Sequence, residues 1–297
     1  MKIIGSLENM RDTPAVGKEK GVVIFVHGPW HGGWCWEQSF TSLFSRKGYR
    51  CITFDLPYHD RAGERPDIRK VRLRDYMLTL EHVIKRVGGN PILIGHSMGA
   101  YLIQKYLVKG KCRMAVLMSP PPPDKGWRTI LRLMQKPYIW KAVLFGRMHL
   151  AVSTPKRASW ALFGEGIRKE DTERYTGMMC DESREVLADM LWRDKAPKLP
   201  SDIPCIVFGG HRDRLFTLRD LDRTGTYLGC GIVVMADMGH DMMLEPGTDK
   251  LVDIMVNCIE TKLGIPRSVR ELKPLEPDSP IRERPILPFT DKKKRLN

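Results

Sequence analysis

Apolar residues fall along this chain in two alternating patterns. The first is a set of short, β-branched runs: GVVIFVH (21–27), YRCITFDLP (49–57), PILIG (91–95), CRMAVLMSP (112–120), IPCIVFGG (203–210) and GIVVMAD (231–237). Most are almost continuously apolar and stop at glycine or proline, which predicts strands buried on both faces. Between them apolar residues recur at helical spacing, as at Leu73, Met77, Leu80, Ile84 and Val87, or at Leu102, Ile103, Tyr106 and Leu107. Strand alternating with helix predicts a mainly parallel sheet covered on both faces. Right-handed crossovers then put the ligand site along the edge where the strands end.

The alternation breaks between Pro120 and Pro200. Pro120 to Pro123 end a strand and stiffen the exit from it. The stretch beyond them has helical patterning without a convincing strand. Trp127, Ile130, Leu131 and Met134 are expected to share a face, as are Ile139, Trp140, Val143 and Leu144, with Pro137 separating the two groups. The expected organisation is a sheet domain made of residues 1–119 and 200–264, interrupted by a helical cap over 120–199. From 265 to 297 the chain is Pro-rich, with prolines at 266, 274, 277, 280, 285 and 288, and ends in a basic cluster from Lys292 to Arg295. Such a tail is extended.

Composition changes this picture little. The 297 residues are 42% hydrophobic and 28% charged, as in an ordinary globular protein. No apolar run is long enough to predict a transmembrane helix, and the first residues lack the apolar stretch of a secretory signal. The seven cysteines are odd in number, scattered and without a CxxC pair. They are expected to be reduced thiols in a cytoplasmic protein. The formal charge of +14 is the unusual property. No nucleic-acid module accompanies it, so no nucleic-acid partner is expected. Between 120 and 157 Lys125, Arg128, Arg132, Lys136, Lys141, Arg147, Lys156 and Arg157 face the single acid Asp124. That run reads first as a solvated face; the basic tail is a candidate for contact with an anionic surface or partner.

The candidate chemistry sits at strand ends. Gly95-His96-Ser97-Met98-Gly99 lies between the strand PILI and a helical run. Serine in a G-x-S-x-G turn between strand and helix is presented on a tight elbow, which points to Ser97 as a nucleophile. Serine needs a base, and MGHDMMLE after the last strand supplies His240. The acid that orients it is expected after an earlier strand, at Asp213 in GGHRD, with Asp124 as the competing position. His27 and His31 are four apart, a metal-ligand spacing only on a helix, which Gly28 and Pro29 disfavour. No metal and no cofactor are expected. His27 and His96 are expected to hydrogen-bond to backbone near the site.

These residues carry a resemblance. From about Gly21 to Leu263 the chain resembles an α/β-hydrolase of the compact, lid-bearing type, on HGPWHGGWCW (27–36), GHSMGA (95–100), GGHRD (209–213) and GHDMMLE (239–245). The first segment is most similar to the plant esterase and hydroxynitrile-lyase group. The lyases of that group carry lysine directly after the catalytic histidine, where this chain has Asp241. Many also carry threonine where it has Gly28. Ser97 at the elbow argues against haloalkane dehalogenases and epoxide hydrolases, which use aspartate there. The resemblance implies an α/β fold with an inserted helical cap, a Ser97–His240–Asp213 triad and an oxyanion hole with one N–H from Met98. The second N–H falls on Pro29, which has none. Either Trp30 supplies it or the hole is incomplete.

Trp30, Met134, Trp140, Leu144 and Met242, with Phe145, Met148 and Met243, are candidate walls of an apolar pocket. That pocket implies a small-molecule apolar ester or acyl substrate. A thioesterase or C–C bond hydrolase acting on an anionic acyl substrate, with Arg128 and Arg132 as its recognition residues, is the rival within enzymes. A non-catalytic ligand-binding relative and an interaction protein working through the tail are the rivals outside them.

Overall fold

The computed structural model describes residues 9–60, 62–63, 66–123, 126–200 and 202–265. Among these, seven strands form one sheet: β1 (Arg11–Thr13), β2 (Gly21–Val26), β3 (Tyr49–Thr53), β4 (Ile92–His96), β5 (Met114–Met118), β6 (Cys205–Gly210) and β7 (Gly231–Met235). Their order is β1-β3-β2-β4-β5-β6-β7, and every pairing is parallel except β1 with β3. β4 and β5 are buried along their whole length, in keeping with their unbroken apolar sequence. Sequence pattern did not reveal β1, because its residues, RDT, contain no apolar run. An edge strand bonds on one side only and needs no such run.

Among the described residues, eleven helices cover the sheet or build the cap. Those of the sheet domain are α1 (Trp34–Glu37), α2 (Phe40–Arg46), α3 (Leu73–Val87) and α4 (Met98–Tyr106) before the cap. The cap holds α5 (Trp127–Met134), α6 (Pro137–Phe145), α7 (Pro155–Leu162), α8 (Lys169–Met178) and α9 (Arg184–Ala188). After it come α10 (Leu218–Leu228) and α11 (Thr248–Leu263). α3 occupies the span its spacing predicts and buries Tyr76, Leu80, Val83 and Ile84. Its start is fixed by the Asp75 side chain, which accepts the Arg72 N–H at 2.8 Å. α11 lays Leu251, Val252, Met255 and Ile259 against the core, each of which contributes about 1.5–3 kcal/mol by leaving water.

Strand order reverses at β2: β3 lies on one side of it and β4 on the other. The loops after β2 and β4 therefore open the crevice where open α/β sheets bind ligands. The cap closes over it. Among the described residues of 121–200 there is no strand, only a single bridge between Gly63 and Cys180. The expected shared faces of α5 and α6 are split by the structure. Ile130 and Met134 turn inward, whereas Trp127 and Leu131 are exposed; Ile139 is buried, whereas Trp140 and Leu144 are exposed. α6 is apolar on nearly all sides, with Lys141 its one charged residue, so spacing alone could not say which side meets the protein; α5 has a polar side with Arg128 and Arg132, and its apolar side is shared between cavity and solvent. No described helix is long and apolar enough to cross a membrane. The Pro-rich segment and Asp124 lie outside the described residues.

Candidate active site

The turn around Ser97 is shaped by close approach. A Cβ on Gly99 would sit 2.1 Å from the Val26 carbonyl oxygen, and one on Gly95 would sit 2.6 Å from the Gly99 carbonyl carbon. Only hydrogen fits at either position, so β4 can turn directly into α4. Ser97 takes the strain, with φ 51° and ψ −112°. A non-glycine residue held there costs of order 1–3 kcal/mol and persists only where its surroundings enforce it. Here the Ser97 N–H donates to the Met118 carbonyl at 2.8 Å, and its own carbonyl accepts from Tyr101 at 3.2 Å. Met98, the first residue of α4, has an N–H with no acceptor inside the helix.

His240 follows β7 on a loop fixed from three directions. Its Nδ1–H donates to Asp213 Oδ2 at 2.8 Å, which leaves Nε2 to take up a proton. Its carbonyl accepts from His96 Nε2 at 3.0 Å and from the Ser119 hydroxyl at 3.4 Å. The next residue, Asp241, donates its N–H to the Leu162 carbonyl of the cap at 2.8 Å. Asp213 is held equally firmly: Oδ1 accepts the N–H groups of Leu215 and Phe216 at 2.7 and 2.9 Å. Burial pulls the His240 pKa down, but Asp213, with Asp241 and Glu245 behind it, outweighs burial and raises it above the ordinary histidine value. His96 goes the other way: burial and the neighbouring His240 push it down to about 3, so its ring is neutral.

Sequence alone gave no catalytic role to three buried groups around this centre, His31, Asp241 and Glu245. His31 donates from Nδ1 to the Pro29 carbonyl at 2.6 Å, and its Nε2 lies 2.9 Å from Asp241 Oδ2. Ring and carboxylate are both fully buried, and Asp241 is the residue directly after His240. Burial favours the neutral Asp241 carboxyl, but His31 more than offsets that and holds its pKa below the usual value. Glu245 accepts the Gly239 N–H at 2.8 Å and the Gly164 N–H at 3.0 Å, tying the histidine loop to the end of α7. Burial nevertheless pushes Glu245 up to about 7. Arg214 donates to the Phe163 carbonyl at 3.0 Å, a third tie between the sheet domain and the cap, here from the loop after β6. The signal available in sequence was the set of charged residues flanking Asp213 and His240.

Ser97 opens into an apolar cavity of about 430 Å³. Pro29, Trp30, Leu215 and Phe216 line its floor from the sheet domain. Ile130, Leu133, Met134, Tyr138, Ile139 and Met148 line it from the cap. Of the expected wall residues, Trp30, Met134 and Met148 line this cavity. Trp30 also donates from its indole to the Met148 carbonyl at 3.1 Å and has φ 64°. Trp140, Leu144 and Met242 do not line the cavity. The first two point outward from α6, and Met242 is fully buried beneath the histidine loop. Phe145 is likewise exposed and Met243 likewise buried. Arg132 is committed elsewhere, donating to the Leu215 carbonyl at 2.5 Å and lying 3.5 Å from Asp220.

His27 donates to the Gly28 carbonyl at 2.8 Å and accepts the Leu56 N–H at 3.0 Å. Both ring nitrogens are used, and neither is left for a metal. Among the described residues His96, His240 and Asp241 each offer a ligand atom within 4.8 Å of the others. A metal there would compete with the bonds that His96 Nε2 and His240 Nδ1 already make, or would take the nitrogen of His240 that is left for a proton.

Residues 23–254 match the model of the alpha/beta hydrolase family, and the chain belongs to that family. It is 31% identical over 140 residues to a carbendazim hydrolyzing esterase of Nocardioides sp. (strain SG-4G), over 43% of this chain and 54% of that one. The match thus spans about half of that relative's length. Among solved structures it is similar to MenH from S. aureus, at a TM-score of 0.64 and 16% identity over 87% of this chain and 100% of that one. It is also similar to polyneuridine aldehyde esterase, at a TM-score of 0.60 and 17% identity over 81% and 99% of the two chains. At such identities these two likenesses speak to the fold.

Proposed function

We propose that this chain is a serine hydrolase that cleaves hydrophobic carboxylic esters through an acyl-enzyme. The observation that carries this reading is the His240–Asp213 hydrogen bond of 2.8 Å beside a strained Ser97 that faces an apolar cavity. In the proposed reaction the Ser97 hydroxyl attacks the ester carbonyl carbon while His240 Nε2 takes its proton. Asp213 holds the ring with Nδ1 protonated and stabilises the imidazolium that forms. The oxyanion accepts from the Met98 N–H and from the Trp30 N–H, which replaces the donor that Pro29 lacks. The tetrahedral adduct then collapses, and the alcohol leaves with the proton from His240. Water, deprotonated by His240, attacks the acyl-Ser97 carbonyl and frees the acid. The apolar lining of the cavity supports an uncharged acyl or aryl group as the part of the substrate held under the cap.

The test is hydrolysis of p-nitrophenyl esters from acetate to decanoate, with Ser97→Ala as control. Wild type is expected to turn over with an optimum at intermediate chain length, and the variant to lose roughly a million-fold in kcat while remaining folded. Turnover that survives in Ser97→Ala, or none at all in folded wild type, would reject the proposal.

A further inference from the structure

The outer face of the cap has a composition unlike the rest of the surface. Ten large apolar side chains are exposed among the described residues, and seven of them lie on the cap, leaving only Val16, Val108 and Leu218 elsewhere. Leu144, Trp192 and Phe145 are the most exposed of the cap set, at 76%, 64% and 60%. They form one patch. The Trp140 indole donates to the Met134 carbonyl at 2.9 Å, fastening α6 to the end of α5. Gly126 N–H donates to the Leu191 carbonyl at 2.8 Å, which brings together the residues immediately before Trp127 and Trp192. Arg184 reaches the Val143 carbonyl at 3.4 Å and joins α9 to α6.

Charge along the α5–α7 part of this patch has one sign, whereas near Trp192 Glu185 and Asp189 pair with Arg184 and Arg193. From 126 to 164 the chain carries seven lysines and arginines and no aspartate or glutamate. Lys141 is exposed on α6 between Trp140 and Leu144 in the chain, and Lys156 is exposed at the start of α7. Tryptophan, leucine and phenylalanine on helices with an excess of lysine and arginine is the composition that sits at the boundary of an anionic bilayer. A protein partner of the same affinity would be expected to bring hydrogen-bonding groups to meet, and the patch offers few. The patch is also continuous with the cavity, because Val143 and Trp192 belong to both. A lipid surface in contact with the cap therefore lies at the mouth of the route to Ser97.

The geometry points to the outer face of α5, α6 and Trp192 as a docking surface for an anionic lipid bilayer. Docking is peripheral: apolar side chains enter the headgroup boundary, and the cap's basic residues meet lipid phosphates and carboxylates. It does not depend on catalysis.

The test is co-sedimentation of the full chain with phosphatidylcholine vesicles, with and without phosphatidylserine. The wild-type protein is expected to bind the phosphatidylserine vesicles, with tryptophan emission moving to the blue, and to bind pure phosphatidylcholine at least about tenfold more weakly. Raising salt from about 0.1 to about 1 M shortens the screening length from about 10 to about 3 Å and should release most of the bound protein. Leu144→Glu with Phe145→Glu should weaken binding at least about tenfold with an unchanged circular dichroism spectrum. Lys141→Glu should weaken it about fivefold, and Lys141→Glu with Lys156→Glu about twenty-five-fold. Ser97→Ala should bind as wild type, so loss of catalysis and loss of docking are read separately. The inference is overturned if wild type ignores both vesicles, or if the Leu144/Phe145 variant binds unchanged, which would assign binding to the basic tail. It is equally overturned if wild type elutes as a dimer that this variant converts to monomer, since a second copy would then cover the face.

Discussion

Along the C-terminal edge of the sheet, polar side chains are buried, and several of them have named partners. His240 is held by Asp213, His96 and Ser119, His27 by backbone on both nitrogens, and Asp213 by two N–H groups besides the histidine. The outer cap inverts this arrangement: Trp140, Leu144 and Phe145 face solvent, and its basic residues have no acid near them in sequence between 126 and 164. The difference arises from the task of each region. In the proposed reaction a proton moves between Ser97 and His240, which requires a ring already placed, so mobility there would cost rate. Under the proposed function the cap admits a ligand, and α6, apolar on nearly all sides, can pack inward on a substrate and outward on a surface. Among the bonds that hold the two regions together are Asp241 to Leu162, Glu245 to Gly164, Arg214 to Phe163 and Trp30 to Met148.

That comparison can be broken first at its rigid end. Asp213→Asn keeps the shape of the carboxylate but leaves His240 without its orienting charge. Ester turnover is expected to fall about ten-thousand-fold, with the fold intact by circular dichroism. A loss of less than about tenfold would mean that the bonds from His96 and Ser119 to the His240 carbonyl suffice to place the residue without Asp213.

Stability should divide the two regions in the same sense. Leu117, fully buried in β5, is expected to cost about 2–5 kcal/mol when replaced by alanine. Leu144→Asp on the cap should stay within about 0.5 kcal/mol, since the side chain is 76% exposed. Urea unfolding of both variants checks this, and equal losses would show that the cap face is covered in the isolated protein.

The joint between the regions carries a pH signature. Glu245 is raised from 4.5 to about 7, so between those values the folded chain binds a proton that the unfolded chain has released. Its contribution to stability is therefore present below about pH 4.5 and lost as pH rises through about 7. It amounts to about 3 kcal/mol across the window. Glu245→Gln should remove this slope from a plot of unfolding free energy against pH between 5 and 8. An identical slope in the variant would place the titration elsewhere.

Much of the sheet edge was legible from residues alone. Gly95 and Gly99 around Ser97 admit no side chain, and the apolar runs before Ser97, Asp213 and His240 have no other way to be buried than as inner strands. Their chemistry is local: each functional residue stands within a few positions of the strand end that carries it. The cap was legible only as helical. Trp127, Ile130, Leu131 and Met134 satisfy the spacing of one face, yet the structure splits them between cavity and solvent.

The sequence by itself determined six of the seven strands and their alternation with helices, the elbow at Ser97 and the strand-end positions of Asp213 and His240. Tertiary structure alone decided three things. It set the His31–Asp241 pair behind the histidine, tied the cap to the histidine loop through Glu245, and chose which side of α5 and α6 faces inward. The reason is physical. Strand burial, turn sterics and helix periodicity act between residues close in the chain, and a sequence displays them directly. The pairing of distant charged groups and the rotation of an all-apolar helix depend on which surfaces meet, and only the packed chain fixes that.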